Sequence, residues 1–102
     1  NVLSINEELP NKYNLYQNYP NPFNPETNIL FDIAENSNIK LNIYDINGRE
    51  IKTLYSGYLS QGKYNMLWDG KNTANEQVSS GVYIIKLMYE NKSLTKKIIL
   101  SK

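Results

Sequence analysis

The sequence predicts an all-β domain folded as an antiparallel sandwich. Several short segments alternate apolar and polar residues with a period of two, which is the period of a half-buried strand. Residues that favour turns, chiefly Asn, Gly and Ser, separate these segments at intervals of roughly ten residues. Tyrosine, which suits half-buried strands, occurs nine times. No segment has the apolar period of a long amphipathic helix.

Residues 1–25 differ from the rest of the chain, and we predict an extended arm there, followed by the folded domain at 26–102. Pro10 lies in the arm, and the other three prolines fall within Tyr19–Pro25. Since proline fixes φ and lacks a backbone donor, this segment cannot form a central strand. A flexible linker is one interpretation. An arm docked on the domain is favoured by its apolar side chains, which are Leu15, Tyr16, Tyr19 and Phe23.

The strands predicted after the arm follow one another with turns between them. They cover residues 28–33, 39–44, 50–55, 63–68, 81–89 and 94–100. Alternation places their apolar positions on one face, as for Ile39, Leu41 and Ile43. Asn47-Gly48 is a strong hairpin signal, and Ser56-Gly57 is predicted to close the third strand. This spacing is typical of an immunoglobulin-like sandwich of about seven strands, here without a disulfide because the chain has no cysteine.

Composition excludes several classes of function. The 102 residues include no cysteine and no histidine, which removes thiol and imidazole chemistry and the usual zinc, copper and haem sites. The carboxylates are scattered, so we expect no enzyme. A net charge of +1 is too balanced for a nucleic-acid binder. No apolar run reaches the roughly 18–20 residues of a membrane span, and a start at Asn1 indicates a piece of a longer protein.

The proline-rich segment carries a family resemblance. Tyr19–Pro25 followed by Thr27-Asn28-Ile29 resembles the opening signature of type A C-terminal sorting domains of the type IX secretion system, which occur in Bacteroidetes and related phyla. The resemblance covers roughly residues 15–102 and ends in the basic tail at 96–102. The fold is also similar to the immunoglobulin-like domain of the flagellar hook-capping protein. The structural motif residues are Tyr19, Pro20, Asn21, Pro22, Phe23, Asp45, Gly48, Trp68, Gly81 and Tyr83.

This resemblance implies a non-enzymatic address label at the C-terminal end of a secreted cargo protein. The cargo would be the upstream part of the same polypeptide. After export to the periplasm, the outer-membrane translocon would recognise the folded label, and a sortase would often remove it. The resemblance thus implies a secreted or cell-surface location, reached through the periplasm.

The tail is the first candidate for recognition. Alternation places Ile98 and Leu100 on one face and Lys97 and Ile99 on the other, with lysines on either side. The plain interpretation is a final strand whose lysines discourage edge pairing. The resemblance instead makes the strand a surface for the translocon, to which another chain could add a strand. Its candidate recognition residues are Lys96, Lys97 and Lys102.

The turn that begins at Asp45 is the second candidate. Asp45 and Asn47 are predicted to cap it, with Gly48 at positive φ. Arg49 is the only arginine of the chain, and its planar guanidinium suits a bidentate partner. An internal pair with Asp45 or Asp69 is the alternative role for Arg49.

Three further hypotheses concern other residues. Trp68 and Tyr83 are interpreted as core, with Tyr83 forming a tyrosine corner; the alternative is a carbohydrate-binding platform of exposed aromatic rings. The loop at 69–76 is rich in oxygen ligands that could hold a calcium ion. Its spacing matches no calcium motif, however, and the positive charge of Lys71 opposes a bound cation. A structural subunit of an extracellular fibre is a third possibility, with self-association through an arm that packs on a neighbouring copy.

Overall fold

The computed structural model describes residues 8–102, which form two packed antiparallel sheets without a helix. The predicted all-β sandwich of about seven strands is confirmed. Residues 1–7 of the predicted arm lie outside the described residues. The strands are β1 (Asn14–Leu15), β2 (Thr27–Ile33), β3 (Ser37–Asp45), β4 (Glu50–Leu59), β5 (Gly62–Trp68), β6 (Gly81–Tyr89) and β7 (Lys92–Leu100).

The strands divide into a three-stranded sheet of order β1-β2-β5 and a four-stranded sheet of order β4-β3-β6-β7. Two hairpins, β3–β4 and β6–β7, lie within the larger sheet. The chain crosses between the sheets at the β2–β3, β4–β5 and β5–β6 connections. Strands β1, β5, β4 and β7 are therefore the edge strands, where unpaired backbone groups are available.

The core lies between the inner faces of the two sheets. Ile39, Leu41 and Ile43 point into it from β3, as their alternation predicts. A fully buried aliphatic or aromatic side chain of this kind contributes about 1.5–3 kcal/mol relative to exposure. The other buried hydrophobic residues are Leu15, Phe23, Ile29, Phe31, Ile33, Trp68, Tyr83, Ile85, Leu87, Ile98 and Leu100.

Strand β4 is longer than predicted. It continues through Ser56-Gly57 to Leu59, because it pairs with β3 from Ser37↔Leu59 onward. The pairing has register shifts at two places along β3, and Gly57 adopts φ 152° within the strand. Long-range pairing thus overrides the local turn signal at this glycine.

Part of the predicted arm belongs to the sheet. Asn14–Leu15 pairs with Asp32 and Phe31 of β2, so the arm supplies an edge strand. The peptide bonds that precede Pro20, Pro22 and Pro25 are cis. Within residues 8–102, the structure contains no helix long and apolar enough to cross a membrane.

Candidate functional site

The proline-rich signature lies along the outer edge of β7. The backbone N–H of Phe23 donates to Ile99 O at 2.9 Å, and Ser101 N–H donates to Phe23 O at 3.0 Å. Phe23 and Leu100 form a parallel bridge, through which the arm continues the four-stranded sheet. The chain's opening signature and its final residues are therefore one structural unit.

Two arm side chains add to this contact. Asn21 Oδ1 accepts the N–H of Ile99 at 3.0 Å, and Gln17 Nε2 donates to Lys97 O at 2.9 Å. These side chains take the place of a neighbouring strand, since they satisfy backbone groups that an edge leaves open. We call Gln17, Asn21 and Phe23 the edge clip.

The edge clip restricts where another chain could add a strand to β7. Lys97 O, Ile99 N and O, and Ser101 N already have partners within the chain. Because alternate residues of an antiparallel strand direct their backbone groups to the same edge, Ser93 and Thr95 face this edge beyond the clip. Within residues 8–102, that part of the edge has no partner from the arm, so another strand could add there.

A buried polar contact fixes the arm where it reaches the sheet. Asn18 is 2% exposed, and its Nδ2 donates to Pro20 O at 3.1 Å and to Thr27 Oγ1 at 2.9 Å. Thr27 Oγ1 in turn donates to Pro20 O at 2.8 Å. Tyr19 and Asn28 exchange two backbone hydrogen bonds beside this contact, at 3.0 and 2.8 Å. Each buried group is thus satisfied by a partner from the arm or from β2.

An aromatic cluster anchors the edge clip to the core. Phe23 packs against Trp68 with ring centroids 5.5 Å apart, and Trp68 packs edge-on against Tyr83 at 5.5 Å. Trp68 is fully buried, and its Nε1 donates to Lys71 O at 2.9 Å. The Tyr83 hydroxyl donates to Ser79 O at 2.6 Å, the upstream backbone contact of a tyrosine corner.

Gly70 is the point at which the arm passes close to the loop after β5. It has φ 76°, and a Cβ there would lie 3.0 Å from Pro25 O. Gly81, at φ 153° at the start of β6, has nothing within 4 Å of such a Cβ. Of these two glycines, Gly70 is therefore the one that the arm itself requires.

The turn after β3 is built around Asp45. Its Oδ1 accepts the N–H groups of Asn47 and Arg49, both at 2.9 Å, and its Oδ2 accepts Arg49 Nε at 3.0 Å. The backbone N–H of Arg49, with the other contacts to Arg49 and Asn47, lowers the pKa of the Asp45 carboxyl. Gly48 has φ 85°. The Arg49 side chain is 79% exposed, so it pairs with Asp45 and still presents most of its surface to solvent.

The three tail lysines occupy different surfaces. Lys97 is exposed on the outer face of the four-stranded sheet, whereas Lys96 alternates with it toward the inner side and is half-buried. The backbone N–H of Lys102 donates to Ser80 Oγ at 3.1 Å. Arg49 lies in the β3–β4 turn, at the end of the sandwich where β7 finishes. The structure therefore does not gather the four candidate recognition residues into one cluster.

Besides Asn18 and Thr27, two buried polar residues were not identified from the sequence. Asn42 alternates with apolar residues that point inward, yet it is fully buried on the outer face of the sheet. Its Nδ2 donates to Tyr44 Oη at 3.0 Å and to Glu50 Oε1 at 3.1 Å. Its Oδ1 has no hydrogen-bond partner among residues 8–102. Neighbouring long side chains cover Asn42, and no local pattern signals such cover.

Asp32 is the second of these residues, and the arm covers it. It is 3% exposed, accepts from Asn14 Nδ2 at 3.1 Å and from the Tyr16 hydroxyl, and lies 3.8 Å from Lys63 Nζ. The hydrogen bond to Asp32 raises the pKa of Tyr16. These residues line an open cavity of about 590 Å³ between the arm and the three-stranded sheet.

The loop at 69–76 uses its oxygen atoms internally. Asp69 Oδ1 accepts Lys71 N–H at 3.1 Å, and Asn72 Oδ1 accepts Glu76 N–H at 2.9 Å. Glu76 Oε1 accepts from Asn72 Nδ2 at 3.2 Å. In the part of the chain that the structure describes, no group of three or more acidic residues could hold a metal ion. The arrangement gives the calcium hypothesis no support.

Exposed tyrosines do not form a single strip. Tyr16 and Tyr19 lie in the arm against β2, whereas Tyr58 belongs to β4 of the other sheet. Tyr13 stacks on Tyr89, with centroids 3.8 Å apart, and is therefore occupied by an internal contact. These tyrosines therefore do not form a flat aromatic platform for a carbohydrate.

The fold and these contacts define an immunoglobulin-like sandwich domain in which the arm completes one sheet edge. Residues 21–93 match the FlgD Ig-like domain family, and the chain belongs to this family. The relationship to an immunoglobulin-like family that the motifs predict is thus confirmed. No curated protein matches the chain.

Solved structures share the fold. Dimeric latent PorU from Porphyromonas gingivalis superposes with a TM-score of 0.70 at 16% identity, over 94% of this chain and 10% of that protein. FlgD from P. aeruginosa gives 0.58 at 20% identity, over 74% and 60% respectively. PorZ, described as an essential surface component of the type-IX secretion system of P. gingivalis, gives 0.56 at 20% identity, over 86% and 11%. The chain thus spans less than two thirds of each protein, and the similarity establishes a common fold.

Proposed function

We propose that this chain is a C-terminal sorting and anchoring domain. It directs a cargo protein on the same polypeptide through the type IX secretion system to the cell surface or the exterior. The observation that carries the proposal is the edge clip, in which the signature at Tyr19–Pro25 meets the tail at 96–102. The two segments that define the family resemblance form one surface, and that surface is complete only when the domain has folded.

A label of this construction suits recognition after export to the periplasm. An unfolded chain holds the signature and the tail far apart, whereas the folded domain joins them through the contacts of Phe23 and Asn21 with Ile99. A translocon that binds both segments distinguishes a folded cargo terminus from an unfolded one. The similarity of fold to PorZ, a surface component of the type-IX secretion system, supports the same assignment.

The proposed role is one of binding rather than catalysis. The chain has no histidine or cysteine, so a translocon and a sortase would supply the reacting groups and this domain the surface that they recognise. Its site of action is then the outer membrane and the cell exterior, which it reaches through the periplasm.

The course of the arm favours sorting over assembly into a fibre. Asn14–Leu15 pairs with β2 of its own domain, and Phe23 pairs with β7 of its own domain. An arm held in this way is not available to pack on a neighbouring copy, which fibre growth through the arm requires.

A fusion experiment tests the proposal. The whole 102-residue chain is placed at the C-terminal end of a periplasmic reporter, in a host that has the type IX machinery. We expect the reporter in the medium or on the cell surface. A fusion that stays in the periplasm, while the host exports its own cargo, would contradict the proposal. A fusion that carries Trp68→Ala serves as the destabilised control.

A further inference from the structure

Three lysines form a diagonal across the outer face of the four-stranded sheet. The registers place Lys40 opposite Met88, and Lys97 opposite Ile84. Lys86 lies in the row between them, opposite Asn42 on one side and Thr95 on the other. Successive lysines are thus diagonal neighbours on adjacent strands, with backbone separations of about 7–8 Å.

These lysines have no acidic partner within the described residues. The ion pairs found there join Arg49 to Asp45 and Lys63 to Asp32. Glu50 lies on the same face, and its carboxylate already accepts from Asn42 and Thr53. Glu90 lines a cavity with Lys40 and Met88 but forms no ion pair with Lys40. The net charge of the chain is only +1, so this positive surface is a local feature and not a general excess.

Apolar side chains lie between the lysines. Ile84 and Met88 are half-buried on the same face, and Ile99 is 38% exposed. Lys86 Nζ lies 5.9 Å from the centroid of the Tyr44 ring, which holds this lysine over the sheet. An apolar centre with charges around it is the composition of a protein-binding surface.

We propose that this surface, the lysine face of Lys40, Lys86 and Lys97 around Ile84 and Met88, binds an acidic segment of a partner protein. Alternate residues of an extended chain lie about 6.6–6.8 Å apart, so carboxylates at every second position match the lysine diagonal. Opposite charges on two such surfaces accelerate and orient association. The inference deepens the proposed function by giving the chemistry of the surface through which the label is recognised, and it rests on that function only for the identity of the partner.

A titration of the whole chain tests the binding itself. The probe is a hexaglutamate peptide, followed by NMR through the backbone amides. We expect changes in the chemical shifts of backbone amides in the rows of Lys40, Lys86 and Lys97. Amides on the outer face of β2 and β5 should not change. Equal shifts on both faces would overturn the proposal. So would tighter binding to vesicles of anionic phospholipid than to the peptide at equal total negative charge, because the ligand would then be a membrane.

Charge reversal provides the matched comparison. The variant K40E/K86E/K97E is expected to lose affinity for hexaglutamate by about tenfold or more, because three exposed charge pairs are removed. The control K12E/K71E/K92E has the same change in net charge away from the lysine face and should bind nearly as the wild type does. The milder K40Q/K86Q/K97Q tests the face if charge reversal prevents folding. Equal losses in the face and control variants would overturn the proposal.

Export gives a second readout that separates this inference from the proposed function. Reporter fusions that carry K40E/K86E/K97E (the face variant) or K12E/K71E/K92E (the control variant) are compared with the wild-type fusion. We expect the face variant to stay in the periplasm and the control to be exported. If both are exported, the translocon does not use this face and the inference fails, although the sorting function stands. If the wild-type fusion itself is retained, the sorting function fails, and the peptide titration decides the binding inference alone.

Discussion

Asn21 accepts a hydrogen bond from the backbone N–H of Ile99 at 3.0 Å, across 78 residues of sequence. The side chain thereby occupies the position that a neighbouring strand would have at this edge. Phe23, two residues later, continues the same contact with its backbone and places its ring against Trp68. The proline-rich signature is thus held against the last strand, and these contacts explain its position in the fold.

The first prediction concerns that hydrogen bond. We expect Asn21→Ala to lower the free energy of unfolding by about 0.5–1.5 kcal/mol, because one hydrogen bond at a partly exposed edge is lost. Hydrogen exchange at the Ile99 amide should accelerate more than at β3 amides, since the opening is local. Asn65→Ala, on the exposed face of β5, is the matched control. Unchanged exchange at Ile99 would contradict the assigned contact.

The aromatic cluster leads to a larger effect. We expect Trp68→Ala to lower the free energy of unfolding by about 3–5 kcal/mol, because it leaves a cavity between Phe23 and Tyr83. Urea denaturation measures this loss. Leu67→Ala removes a neighbour that is 51% exposed and should cost about 0.5 kcal/mol or less. Similar losses for the two variants would show that Trp68 is not the centre of the core.

Sequence reasoning identified the inner faces well, because a period of two is a local property. Ile39, Leu41 and Ile43 point inward as the alternation requires. It did not identify the burial of Asn42 or Asp32, which lie on the outer faces of their strands. Such residues become buried only when the fold places other side chains over them. Nor could any pattern pair Asn21 with Ile99, since the register of the arm on β7 depends on the complete fold.

Gly70, in the loop after β5, gives a test of the close approach of the arm. Gly70→Ala is expected to cost about 1–3 kcal/mol from the left-handed backbone, and more because its Cβ would meet Pro25 O at 3.0 Å. Gly48→Ala shares the positive φ but has nothing within 4 Å, so it isolates the backbone cost. Thermal or urea unfolding measures both variants. If Gly48→Ala costs as much as Gly70→Ala, contact with the arm contributes nothing.

The Asp45 turn predicts a dependence on pH. Folding lowers the pKa of Asp45, so its contribution to stability is present above the unfolded pKa of about 3.9 and is lost as pH falls through the folded value. We expect Asp45→Asn to flatten the acid limb of stability against pH. Carboxyl NMR on the wild type should give Asp45 a pKa below that of an unfolded peptide. A value at or above it would contradict the contacts assigned to the Arg49 and Asn47 N–H groups.

Lys96 and Lys97 are neighbours in the basic tail, but their side chains lie on opposite faces of β7. Both Lys96→Ala and Lys97→Ala should change the free energy of unfolding by about 0.5 kcal/mol or less, because Lys97 is exposed and Lys96 only half-buried on an edge strand. Export of a reporter fusion should fall more for Lys97→Ala, since Lys97 lies on the outer face with Lys86, whereas Lys96 turns toward the inner side. Lys97→Arg keeps the charge and should restore export, which a loss through folding alone would not explain. If Lys96→Ala reduces export equally, the tail acts as a single basic segment and the direction of each side chain has no effect on recognition.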